Sequence, residues 1–116
     1  MKIKIKITND EFCELVKVIG AIPFAQIEIT DIEFLNLKQF YLDGIRKIHS
    51  YSFNHVPTNK VKTFSIDVNQ YQAIKIVFQQ LVNVVCGYAK VIFLTIQGDA
   101  ERQILRGVNA KNLLST

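Results

Sequence analysis

The sequence predicts an α+β domain: two internally duplicated strand-helix-helix units whose strands pair as a two-stranded antiparallel ribbon packed on about four helices. Three observations lead there. Lys2 to Ile7 and Val61 to Val68 alternate with period two, which places Ile3, Ile5 and Ile7, and Phe64, Ile66 and Val68, on one face of a strand. Each run then meets a capping-box pattern, Thr8-x-x-Glu11 and Asp67-x-x-Gln70. Finally, a shift of 59 positions lays Ile5 on Phe64, Ile7 on Ile66, Phe12 on Tyr71, Leu15 on Ile74 and Val18 on Val77. A single domain over 1–116 with pseudo-repeat halves 1–50 and 61–107 is the expectation.

The first strand sets Lys2, Lys4 and Lys6 opposite its isoleucines, so one face is buried and one is wet. The helix after Thr8 carries Phe12, Leu15, Val16 and Ile19 at i, i+3, i+4, i+7 and stops at Gly20 and Pro23. Thr30-x-x-Glu33 opens a second helix to about His49. Its wheel gathers Phe34, Leu37, Tyr41, Ile45 and Ile48, extended by Leu35 and Leu42, and leaves Phe40 among Asn36, Asp43 and Lys47. Gly44 falls on the apolar side, where a missing side chain permits close helix approach.

Ser50 to Lys60 loses periodicity and reads as a loop. After the second strand, a third helix carries Tyr71, Ile74, Phe78, Leu81, Val82 and Val85 and ends near Cys86-Gly87. Residues 88 to 107 are contested. Val91 to Ile96 is β-branched and apolar enough for a buried strand, whereas the repeat lays Phe34 on Phe93, Leu37 on Ile96 and Ile45 on Ile104 and so predicts a fourth helix, weakened at Gly98. Asn109 to Thr116 is expected to be a loosely packed tail. The two strands are expected to leave two open edges.

Composition bounds the function. With 116 residues, 49% hydrophobic and 21% charged, the chain is long and apolar enough for one core without disulfides. Cys13 and Cys86 lack a Cys-x-x-Cys partner, the start alternates charge with bulk, and no apolar run reaches the roughly 20 residues of a membrane span. A cytoplasmic protein without membrane insertion follows as the expectation. The usage of lysine, isoleucine and asparagine, with a strand leading into an amphipathic helix that opens on an aromatic, resembles small bacterial proteins of Bacteroidetes genomes and their mobile elements. The resemblance carries no functional residue across.

Candidate sites are sparse. His49 and His55 lack the acid or cysteine that would complete a zinc set. Cys13 near a helix start could favour a thiolate but has no identifiable base. Glu28, Asp31 and Glu33 bracket the start of the second helix and are explained by its dipole. No glycine cluster cradles a phosphate, and no cofactor, metal or catalytic residue is implied. The reading is therefore a small non-enzymatic interaction protein that self-associates as a homodimer, with Phe40 at the interface or with ribbon edges joined. A further protein partner is conceivable. The alternative is nucleic-acid binding through Lys2, Lys4, Lys6, Arg102 and Arg106, since the net charge is +4.

Overall fold

A computed structural model describes residues 1–53, 60–81 and 87–114, with side chains described except at 51–53 and 108–114. The described residues form β1 (Lys2–Thr8), α1 (Asn9–Gly20), a 3-10 turn (Phe24–Gln26), α2 (Asp31–Phe53), β2 (Val61–Asp67), α3 (Val68–Gln80) and α4 (Gly87–Leu114). The strands pair antiparallel with Lys2 across from Asp67, Lys4 from Ser65, Ile5 from Phe64 and Lys6 from Thr63.

Local chemistry starts the first three helices. At α1 the Thr8 hydroxyl accepts the Glu11 N–H at 3.1 Å and the Glu11 carboxylate accepts the Thr8 N–H at 2.9 Å. Thr30 and Glu33 repeat the exchange at α2. At α3 the Asp67 carboxylate accepts the Asn69 N–H at 2.9 Å, while Gln70 reaches back to the Asp67 N–H. Each cap satisfies amides that the first helical turn would otherwise leave orphaned.

The isoleucine face of the ribbon is one wall of the core. Ile3, Ile5, Ile7, Phe64 and Ile66 are buried together with Phe12, Leu15, Tyr71 and Ile74, as the two-residue and helical periods require. Phe12 stacks on Phe64 with centroids 4.3 Å apart and planes 9° from parallel, joining α1 to β2. Phe78 stacks likewise on Phe93 at 4.6 Å and joins α3 to α4. The buried Tyr71 donates its hydroxyl to Glu101 at 2.8 Å, and Lys75 holds the same carboxylate oxygen at 2.7 Å. Those hydrogen bonds, Lys75's the larger, hold the Glu101 carboxyl below its ordinary value, whereas burial and then Glu101 push the Tyr71 phenol up.

Several expectations are corrected. Phe40 is buried, only 3% exposed, and meets Phe12 edge-on at 6.1 Å. The cause is Gly44: a Cβ there would lie 2.5 Å from Val16 Cγ2, so α2 turns its glycine onto α1 and brings Phe40, one turn earlier, inward. Leu35 and Leu42 swing outward in exchange, at 61% and 43% exposure. α2 runs on to Phe53, shortening the expected loop, whose residues 54–59 lie outside the described residues. α3 stops at Gln80, with Leu81 as its cap, and its expected continuation over 82–86 is also outside them. Val91 to Ile96 is helical, as the repeat predicts; α4 passes Gly98 and Gly107 unbroken and takes in the expected tail to Leu114.

Truncating the fully buried Leu15 to Ala should cost about 2–5 kcal/mol of stability in urea unfolding. Gly44→Ala gains about 1 kcal/mol of helix propensity yet should be net destabilising, because Val16 is itself fully buried and cannot swing clear. Adding Val16→Ala to Gly44→Ala should recover part of that loss, measured in the same unfolding assay.

Candidate functional site

The two edges of the ribbon are finished differently, and that difference is the most distinctive chemistry on the surface. In an antiparallel pair, alternate residues turn their N–H and C=O toward the partner strand and away from it. The Val68 N–H donates to the Met1 carbonyl at 3.1 Å, so by alternation Ile3, Ile5 and Ile7 face β2, and Lys2, Lys4 and Lys6 present their backbone groups outward. α4 lies along that outward edge of β1. Gln103 accepts the Lys4 N–H at 2.8 Å and donates its amide to the Lys4 carbonyl at 2.6 Å. Asp99 accepts the Lys6 N–H at 3.3 Å. At Lys4 and Lys6 the side chains of one helix thus take the place of a neighbouring strand, and the middle of one of the two expected open edges is covered.

The same device recurs once more. Gln80, at the end of α3, accepts the Glu28 N–H at 2.7 Å and donates to the Glu28 carbonyl at 2.6 Å, fastening the extended segment ahead of α2.

On β2 the register turns the N–H and C=O of Thr63 and Ser65 outward, and among the described residues none bonds to them. Ser65 and Ile66 form one wall of a groove of about 310 Å³, and Asp43, Gly44 and Lys47 of α2 form the other. Phe12 and Phe40 lie at its base. The Lys47 ammonium sits 5.7 Å from the Phe12 centroid and 5.8 Å from that of Phe64, beside the stacked pair. The outward residues of β2 before Asp67 are Val61, Thr63 and Ser65, all uncharged, whereas those of β1 are lysines.

A second feature follows from the closure of β1. Lys4 and Lys6 from the wet face of the ribbon and Arg102 and Arg106 from α4 line a single cleft of about 290 Å³ with Asp99 and Gln103. Asp99 pairs with Arg102 at 2.6 Å, and the Arg102 Nε–H donates to the Gly98 carbonyl at 3.2 Å. Four of the five cations proposed from sequence therefore converge. Lys2 does not; it stands across from Asp67 and lines the other groove.

The remaining sequence candidates gather no chemistry. His49 is an exposed residue within α2 rather than at its end, and His55 is outside the described residues. Burial, reinforced by Asp10 and partly offset by Lys17, pushes the half-buried Cys13 thiol up, away from the reactive thiolate. Among the described residues, no group of three or more His, Cys, Asp or Glu side chains could hold a metal ion, and no helix is long and apolar enough to cross a membrane. Phe40, being buried, offers no exposed aromatic for an interface. No protein family, no curated protein and no solved structure matches this chain.

Replacing Gln103 with Ala should leave the Lys4 amide without its acceptor, and hydrogen exchange at that amide should quicken while the amides of Ile3 and Ile5, turned toward β2, remain protected. The carboxylate of Glu101 gives a pH signature. Its folded value is lowered, so its contribution is complete above the ordinary unfolded value near about pH 4.3 and is lost as pH falls through the folded value. Glu101→Gln should be less stable than the parent at pH 7 by urea unfolding, and the gap should narrow by pH 3.

Proposed function

We propose that this chain is a small, non-enzymatic interaction protein that self-associates by pairing the open edge of β2 with the same edge of a second copy. The single observation behind this reading is the unequal finish of the two edges. β1 carries three lysines on its wet face and has its backbone covered at Lys4 and Lys6 by Gln103 and Asp99, the devices by which proteins blunt an edge. β2 has neither lysines there nor a described cover.

Antiparallel pairing of β2 with its copy about a two-fold axis makes a four-stranded sheet, β1-β2-β2-β1, with a closed edge at each end. Setting Thr63 of one copy against Ser65 of the other places two neutral side chains together on the wet face, with no like charges opposed. The enlarged sheet also relieves the marginal stability of a ribbon of only two strands. The α2 groove beside Ser65 leaves the approach to this edge open.

Ser65→Pro tests the reading cleanly. It removes an outward N–H while sparing the bonds between β2 and β1. Light scattering at about 100 µM (a concentration chosen for a dimer of micromolar Kd) should give a dimer for the parent and a monomer for the variant, with unchanged far-UV circular dichroism. Thr63→Lys combined with Ser65→Lys should act the same way through charge. A monomeric parent at that concentration ends the proposal.

A further inference from the structure

We infer that the cleft between β1 and α4 binds the phosphate backbone of single-stranded nucleic acid without reading its bases. Lys4 and Lys6 form one wall, Arg102 and Arg106 the other, and Asp99 is the one carboxylate among the described residues lining it. Four cations against one carboxylate leave a surplus of three in a chain whose net charge is +4. Elsewhere the charges nearly balance, so the excess is a local property of this cleft rather than a diffuse bias.

The geometry selects the ligand. Lys4 and Lys6 are two residues apart on a strand, about 6.6 Å along it. Arg102 and Arg106 are four apart on a helix, about 6 Å along its axis. Two parallel rows of that spacing suit successive phosphates of one extended strand. The cations line a concave cleft, which follows a single chain; a duplex is instead entered by a projecting helix or ribbon. Among the described residues no aromatic lines the cleft on which a base could stack, so binding comes from phosphate contacts and carries no sequence preference. Arg102 is already paired with Asp99 and serves mainly to hold that wall in place, which leaves Lys4, Lys6 and Arg106 as the contacts.

The cleft lies on the closed edge of the ribbon and uses no residue of β2, so a monomeric result in light scattering leaves this inference untouched. Fluorescence anisotropy with labelled oligonucleotides of mixed sequence, over a salt series, provides the test. Three phosphate contacts predict a slope of log K against log salt of about −2, an affinity loss of about 15- to 20-fold between 50 and 200 mM salt. Lys4→Glu with Lys6→Glu should weaken binding of single-stranded DNA and RNA at least tenfold. Lys17→Glu with Lys38→Glu makes the same charge change at two exposed positions on α1 and α2 and should stay within threefold of the parent.

Arg106→Gln, on the opposite wall, should flatten the slope by about 0.7, a readout that survives even if the lysine double variant folds poorly. Absence of binding at 50 mM salt overturns the inference. So do equal losses in both double variants, tighter binding of duplex than of single strand, or displacement of the oligonucleotide by about 1 mM inorganic phosphate at constant ionic strength, which would assign the cleft to a small anion.

Discussion

In a sheet of two strands every strand is an edge strand, and the rest of this molecule answers that constraint. Such a ribbon has one face that can be buried and two rows of backbone groups that no third strand bonds. The buried face is met by helices: Ile3, Ile5, Ile7, Phe64 and Ile66 pack into a core with residues from all four. The rows are met separately. α4 supplies Gln103 and Asp99 to β1, and α2 stands away from β2, leaving a groove whose base is aromatic. Although the halves share one order of elements, their second helices therefore have different tasks.

The groove owes its form to the contact of α2 with α1. Gly44 lets α2 close on Val16 of α1, which turns Phe40 against Phe12, and Phe12 in turn stacks on Phe64 of β2. Helix rotation, the aromatic base of the groove and the seating of the second strand are thus mechanically one assembly. Gly20 makes a similar accommodation at the end of α1, where a Cβ would meet the ring of Tyr41. Two missing side chains set how α1 and α2 cross.

What was legible in the sequence was local. Thr8, Thr30 and Asp67 announce their helices because a capping box is written within four residues, and Ile3, Ile5 and Ile7 announce their strand through a period of two. A helical wheel sets Phe40 on the polar side because it averages over all apolar positions, whereas the actual rotation follows from glycine contacts between α1 and α2. The closure of β1 was not legible, since Gln103 and Lys4 are 99 residues apart and a glutamine on a helix gives no sign of what its amide will meet. For the same reason Lys4 and Lys6 could be named beside Arg102 and Arg106 without any ground for placing them in one cleft.

The amide of Gln103 also governs how far association through strands can proceed. A ribbon with two receptive edges is a bivalent unit, and bivalent units join without limit into fibres. Here one valence is already filled from within the chain by a donor and an acceptor on a single side chain. Under the self-association proposed above, what is left is monovalent: an assembly built by strand pairing at β2 would end with its first addition, so a finite size would follow from the fold and need no external terminator.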